Sequence, residues 1–413
     1  KWKQESGDTI SNQMQKLGVS AAWDREKFTM DDDLSEAVHE LFTKLYAKGL
    51  IYKGNRLVNW DTVLQTAISD IEVNHKEVKG SFWYIEYPIK DSDEKLVIAT
   101  TRPETMLGDT ALAVNPNDER FKHLIGKYAI LPLLGREIII VGDEHADMEK
   151  GTGALKITPA HDHNDFEVGK RHNLEMINIL NKDGSINANG GKYEGLDRFD
   201  ARKQIIADLE ESGQLVKTED HTHEVGFAER GGQIAEPFLT EQWYVKTQPL
   251  VDNILKAIDN DEVEFVPANQ KKIALNWLNN NQDWCISRQL WWGHQIPAWY
   301  NPADKTDIFV GKEEDAPAGW VRDEDVLDTW FSSALWPMAT QGWPHKTPEM
   351  DKFYPGHAIM PGVDILFFWV IRMLMMSIEF TGKVPFKTIY LHALVLDGNG
   401  QKMSKSKGNG IDP

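Results

Sequence analysis

Cysteine is almost absent, Cys285 being the only one in 413 residues. A disulfide framework therefore cannot form and a cysteine-rich zinc site has no ligands, which fits a reducing compartment and makes the cytosol the expected location. Long apolar runs are scarce as well. The one long run, Ile365 to Ile378, falls short of the ~20 residues that cross a bilayer. Asp364 precedes it and Arg372 interrupts it, so it reads as a buried helix and no membrane partner is expected. The opening residues, Lys1-Trp2-Lys3-Gln4-Glu5-Ser6, have neither an initiator methionine nor the basic-then-apolar pattern of a signal peptide. The sequence is expected to begin inside a longer protein. Internal repeats, low-complexity tracts and a Walker-type phosphate loop are missing too.

What is present is a globular chain. With 41% hydrophobic residues over 413 positions it can bury two or three domain cores. Its 45 basic and 64 acidic residues leave a net charge of −19, which taken alone argues against a polyanionic partner, since phosphates are held mainly by Lys and Arg. Net charge does not describe local patches, however, and a large RNA-binding enzyme can carry its basic surface elsewhere in its length. Charge does not decide the matter.

The clearest helix is predicted over 31–49, with Asp31, Asp32 and Asp33 at its start, Leu34, Val38, Leu41, Phe42 and Leu45 on one face, and Gly49 as its stop. Leu57 to Asp61 reads as a short strand. From Lys76 the texture turns to short β-like runs, Ser81 to Tyr87, Leu96 to Ala99, Tyr128 to Leu131 and Ile138 to Val141, with helices near Asp165 to Asn173 and Asp200 to Ser212. The expected domains are residues 1–75, an α+β, β-rich insert over 76–226, and 227–413 as the second part of an α/β domain.

Two strings could carry chemistry. In the first, Gly400-Gln401-Lys402-Met403-Ser404-Lys405-Ser406-Lys407-Gly408-Asn409, three lysines alternate with small or flexible residues. Mobile ammonium groups beside Ser and Gly donors suit a triphosphate, whose charge grows on the leaving pyrophosphate. A solvated basic loop is the plainer alternative. The second string runs from Gly151-Thr152-Gly153 through Lys156, Thr158 and Pro159 to His161-Asp162-His163-Asn164-Asp165. Lys156 and Thr158 alternate on a strand and so share a face, and the turn at Pro159 then presents Asp162 and Asp165. A cation, a hydroxyl and two carboxylates converge. His161, Asp162, His163 and Asp165 also form a candidate Zn²⁺ or Mn²⁺ set, and a hydrogen-bonded turn is the third alternative.

These strings resemble those of known enzymes. Lys402-Met403-Ser404-Lys405-Ser406 is similar to the signature loop of class I aminoacyl-tRNA synthetases. Gly151 to Asp162, with Thr100-Thr101-Arg102-Pro103-Glu104-Thr105 upstream, resembles the two halves of the editing pocket of valyl-tRNA synthetases. Isoleucyl and leucyl relatives share the Gly-Thr-Gly framework and the later Asp, but usually carry other residues at the places of Lys156 and Thr158. Asp283 to His294, with its tandem Trp291-Trp292, and Asp325 to Trp336 resemble further segments of the same family.

The resemblance implies an incomplete Rossmann-like catalytic domain interrupted by an editing domain. It implies ATP-dependent activation of valine, transfer to tRNA(Val), and hydrolysis of misformed threonyl-tRNA(Val). Residue by residue, Lys402 and Lys405 match groups that act on the pyrophosphate. Gly362, Asp364 and Ser404 complete the ATP site, with Gly362 and Asp364 as the Gly-x-Asp element that holds the ribose. Trp330, Ile365 and Trp369 match the valine pocket. In the editing pocket, Asp165 matches the anchor of the substrate ammonium, Lys156, Thr158 and Asp162 the wall that detects the threonine hydroxyl, and Arg102 a residue near the terminal adenosine. Partners on this reading are tRNA(Val), valine and ATP with Mg²⁺ as substrate. No tightly bound cofactor and no zinc site are implied, and the full-length protein is expected to be a monomer.

Three departures accompany the resemblance. The His-Ile-Gly-His-type motif that partners the lysine loop does not occur, and the chain stops at Pro413, ahead of the family's anticodon-binding region. This stretch is therefore not expected to charge tRNA by itself. Gly410 and Pro361 also stand where the family usually has other residues. Two rivals stay open: an isoleucyl enzyme, and a scaffold or RNA-binding relative that has lost catalysis.

Overall fold

A computed structural model of the protein describes residues 7–403 and 408–411. The chain divides into two compact units, one made of Lys1–Tyr52, Val245–Trp284 and Trp292–Pro413, the other of Lys53–Tyr244 and Cys285–Trp291.

In the first unit the apolar spacing of the predicted helix produces Asp32–Ala47, which buries Leu34, Ala37, Val38, Leu41, Phe42 and Leu45. Asp32 and Asp33 lie in its first turn, where negative charge complements the exposed N–H groups. The chain leaves through Gly49 at φ +69°, a left-handed conformation that glycine adopts without a Cβ clash. Phe42 meets the edge of Phe331 at 6.3 Å between ring centroids.

The same unit contains a three-stranded parallel sheet, with Phe386–Tyr390 between Glu264–Val266 and Gly356–Ile359. Parallel neighbours need long crossovers. Helix Ile371–Thr381 supplies one between Gly356–Ile359 and Phe386–Tyr390. The apolar run read as one buried helix is more irregular than expected. A 3₁₀ turn at Val363–Ile365 and a wide π-type turn at Leu366–Val370 come before the α-helix proper begins at Ile371. Three consecutive aromatics on this turn point in different directions and find different partners. Phe367 stacks on Trp277 and Phe368 packs on Trp330, each at 5.2 Å between centroids, while Trp369 Nε1 donates to the Ser333 carbonyl at 2.9 Å.

The second unit is α+β. Strands Val73–Pro88 and Leu215–Ala228 pair antiparallel from Val73↔Ala228 to Ile85↔Leu215, and Lys95–Thr100 adds a third strand. Leu215–Ala228 is absent from the sequence-based expectation because it is charged and half exposed, so no apolar alternation marks it; its long ladder with Val73–Pro88 makes it a strand. A mixed sheet follows in the order Tyr128–Ile130, Glu137–Gly142, Ala111–Val114, Ala154–Ile157. Its central strand Ala111–Val114 is wholly buried. Ala111, Ala113, Val141, Ala146, Ile157 and Val168 form the adjoining core. Helices His163–Arg171 and Arg198–Glu211 lie within two residues of the expected positions. The unit extends beyond 76–226 because Glu236–Val245, Ile51–Asp61 and Thr66–Ile68 form a further sheet that lies largely inside it. Among the described residues no helix is long and apolar enough to cross a membrane.

Leu41 is fully buried. Leu41→Ala is expected to cost about 2–5 kcal/mol of stability through lost burial and a residual cavity, read as a lower urea midpoint for the first unit. A loss below about 0.5 kcal/mol, the usual range of a surface change, would contradict this packing.

Candidate functional site

In the second unit the candidate site residues Lys156 and Thr158 are positioned by strand register. Ala111–Val114 pairs antiparallel with Ala154–Ile157, with Leu112 opposite Lys156 and Ala111 opposite Ile157. The Thr110 N–H then donates to the Ile157 carbonyl at 3.0 Å. This register places Asp109 against Thr158. The Thr158 hydroxyl donates to Asp109 Oδ1 at 2.5 Å and the Tyr87 hydroxyl to Oδ2 at 2.8 Å. Lys156 lies on the same face as Thr158, as alternation requires. Its Nζ donates to Thr158 Oγ1 and, at 2.9 Å, to Thr105 Oγ1, and lies 3.4 Å from Asp109 Oδ1. Gly108 permits the approach, since a Cβ there would stand 2.8 Å from the Ile177 carbonyl oxygen.

Asp109 is completely buried. Burial pushes its carboxyl above the usual range, against the pull of Lys156, Thr158 and Tyr87. The Tyr87 phenol is driven well above its ordinary value, by burial first and then by Asp109. Neither Asp109 nor Tyr87 was singled out from the sequence. The signal for Asp109 is faint: an acid after a glycine, with one residue between it and the short apolar run Ala111–Val114.

Asp165 enters from the first turn of helix His163–Arg171, and its Oδ2 accepts the Thr158 N–H at 2.9 Å. Its carboxyl is pushed up to about 7. Burial is the main cause, Lys156 opposes it, and Asp162 and Asp109 add to it. Asp162 is exposed and caps the helix, Oδ1 accepting the N–H groups of Asn164 at 2.8 Å and Asp165 at 3.1 Å. Its charge acts on Asp165 and on Arg102.

The four-residue metal set does not gather around one point. The His161 ring is buried, and its Nε2 accepts the Ile179 N–H at 2.9 Å. Burial holds that imidazole down at about 3, and His163 is exposed. Among the described residues no group of three or more His, Cys, Asp or Glu is placed to hold a metal ion.

Arg102 stands in a buried charge network. Nε donates to Glu104 Oε1 at 3.1 Å, Nη1 to the His161 carbonyl at 3.2 Å, and Nη2 to Glu236 Oε2. Arg202 forks onto Glu104 at 2.7 and 2.8 Å, and Arg198 Nε donates to Glu236 Oε1 at 2.7 Å. Burial pushes Glu104 up, but the Arg202 and Arg102 guanidiniums bring it down to about 2. Three guanidiniums thus meet two carboxylates. The Arg102 side chain keeps 27% exposure and that of Arg198 only 4%, so the partly exposed Arg102 can present positive charge to a ligand.

In the first unit, Gly362 forms a parallel bridge with His392, reinforced by Val363 N–H to the His392 carbonyl and His392 N–H to the Pro361 carbonyl, both 3.1 Å. Gly362 and Asp364 therefore lie past the carboxyl ends of the parallel strands, where open α/β sheets gather ligands. A Cβ at Gly362 would stand 2.6 Å from Asp364 Oδ1. Lys402 Nζ lies 2.7 Å from Asp364 Oδ2 with both side chains partly exposed. Trp330, Ile365 and Trp369 are half-buried on the adjoining turns. Ser404 and Lys405 lie outside the described residues.

The profile of tRNA synthetases class I (I, L, M and V) matches residues 1–413. The chain belongs to this family. It is 56% identical over 416 residues to the valine–tRNA ligase of Bacillus licheniformis, 56% over 414 to that of Lactococcus lactis subsp. lactis, and 55% over 417 to that of Bacillus subtilis. Each alignment covers 100% of this chain and 47% of the relative, so the chain spans about half the length of the curated relatives it matches.

The raised Asp165 carboxyl predicts a pH dependence of stability in this class I chain. Folding favours the protonated acid, so its contribution is present below about 4 and is lost as pH rises toward 7. Asp165→Asn should therefore match the parent most closely at pH 4 and gain on it progressively up to pH 8, by as much as a few kcal/mol, in denaturant titrations at each pH. A difference independent of pH would contradict the assignment.

Proposed function

We propose that this chain is the central part of a valine–tRNA ligase that activates valine with ATP, transfers it to tRNA(Val), and removes misattached threonine by hydrolysis in a second pocket. The observation that carries this is the buried cluster of Lys156, Thr158 and Asp109 beside Asp165.

Threonine differs from valine by a hydroxyl in place of one methyl. A hydrophobic pocket rejects such an isostere by only ~10², and valyl synthetases are the enzymes for which that limit is stated. A pocket of opposite character is needed to correct the error. Lys156, the member of the cluster whose side chain keeps 11% exposure while Asp109 is sealed, can share its ammonium donors with a threonyl hydroxyl, while a valyl methyl covers that ammonium without returning a hydrogen bond, at ~1–3 kcal/mol. Asp165, once ionised, faces the substrate ammonium, and Arg102 lies toward the terminal adenosine. Water adds to the ester carbonyl and the ribose hydroxyl leaves, which frees threonine and tRNA.

The synthetic reaction belongs to the first unit. Gly362 and Asp364 hold the ribose of ATP, which enters with Mg²⁺ as substrate, and Trp330, Ile365 and Trp369 confine the branched side chain of valine. Lys402, together with Lys405, steadies charge on the departing pyrophosphate, and Ser404 adds a donor. The acyl group then passes to the tRNA 3′ end.

The test is deacylation of pre-formed threonyl- and valyl-tRNA(Val) by the full-length protein and its variants. Asp165→Ala should leave valine activation close to the parent and slow threonyl-tRNA hydrolysis by at least ~10- to 100-fold, the cost of a lost charge-assisted contact. Lys156→Ala or Thr158→Ala should instead let correctly charged valyl-tRNA be hydrolysed. Full threonyl-tRNA hydrolysis by Asp165→Ala would overturn the assigned anchor, and hydrolysis stopped by a chelator alone would favour a metal site.

A further inference from the structure

Asp328 lies outside every string assigned to substrate contact, yet it is buried at 4% exposure and both of its oxygens are engaged. Oδ1 accepts the Trp330 N–H at 3.2 Å, which caps the short helix Thr329–Ser333, and the Asp328 carbonyl accepts the Phe331 N–H at 2.8 Å. Oδ2 accepts the indole N–H of Trp284 at 2.9 Å. The face of Trp284 carries the Arg372 guanidinium at 3.4 Å from the ring centroid. Arg372 follows Trp369 by one turn of the same segment, and Trp369 Nε1 returns to the Ser333 carbonyl at the other end of the capped helix. The contacts close a ring through Asp328, Trp284, Arg372, Trp369, Ser333 and back along the helix.

We infer that Asp328 is a positioning residue for the amino-acid pocket, holding Trp330 and Trp369 at the spacing that sets which branched side chain is admitted. The inference rests on the proposed reading of Trp330 and Trp369 as pocket walls. One tryptophan rides on the capped helix and the other is bonded to its last residue, so turning or shifting that helix changes the gap between them. A carboxylate is required because one group must accept from a backbone N–H and an indole N–H at once. An amide has one acceptor oxygen, and its NH₂ would face one of the two donors.

ATP–pyrophosphate exchange by the full-length protein tests this with valine, isoleucine, which is one methylene larger, and 2-aminobutyrate, which is one methyl smaller. Asp328→Asn should raise KM for valine far more than it lowers kcat, and should remove most of the roughly 10- to 200-fold preference that one methylene confers. Trp284→Phe, which keeps the ring and deletes the N–H, should shift the preference in the same direction. Ile258→Ala, a buried truncation outside the ring, should lower the unfolding midpoint and leave the preference unchanged, which separates positioning from mere stability. A folded Asp328→Asn protein with the parent's preference would overturn the inference and leave the pocket assignment standing; if Asp328→Asn does not fold, an unchanged preference in Trp284→Phe does the same. A parent protein that activates none of the three would overturn both.

Discussion

A carboxylate sealed from water has to find its charge and hydrogen-bond partners inside the protein, and much of the second unit is arranged around that demand at Asp109. Leaving such a group unpaired costs several kcal/mol. Three side chains answer it: Tyr87 from one long strand, and Lys156 and Thr158 from the end of a second. Lys156 and Thr158 reach it because Ala111–Val114 and Ala154–Ile157 pair in one register. A slip of one residue would turn Lys156 and Thr158 to the opposite face. Gly108, with no room for a Cβ, lets the chain carry Asp109 that deep. The cluster is thus locked before any ligand arrives, and preorganisation of this kind is what lets a site tell a hydroxyl from a methyl.

The two candidate sites hold their charges in different ways. Around Asp109 and around Glu104 and Glu236, carboxylates are buried and matched by Lys156 or by arginines, so each pair is costly to disturb. Asp364 and Lys402 meet at the rim of the parallel sheet with side-chain exposures of 27% and 55%. A partly exposed pair of that kind contributes about 0–1 kcal/mol. Such a pair is easily given up, which suits two groups proposed to turn toward a ribose and a pyrophosphate when ATP binds.

How much of this was legible in the sequence follows from the range of each interaction. Helix Asp32–Ala47 and the shared face of Lys156 and Thr158 depend on periodicity within a few residues, and both are visible in the chain alone. Asp109 was not, because its meaning arises from pairing between strands more than 40 residues apart. The Arg102 network has the same origin, joining residues near 100, 200 and 236. Leu215–Ala228 lacked apolar alternation because its ladder with Val73–Pro88 makes it a strand without a buried face. The wide turn at Leu366–Val370 was hidden in an apolar run, since composition does not show that three adjacent aromatics find three different partners. Resemblance makes Asp162 part of a wall that meets a threonyl hydroxyl; in the structure its carboxylate serves the helix cap.

On the proposed function, the buried polar cluster centred on Asp109 prefers a hydroxyl-bearing aminoacyl group over its methyl isostere. Calorimetric titration of this chain with non-hydrolysable threonyl and valyl amides of 3′-amino-3′-deoxyadenosine measures that preference without any catalytic step. The threonyl compound should bind at least ~10-fold more tightly, the equivalent of one net buried hydrogen bond, and Asp109→Asn should erase the difference. Equal affinity for the two compounds in the parent protein would contradict a hydroxyl-selective cluster.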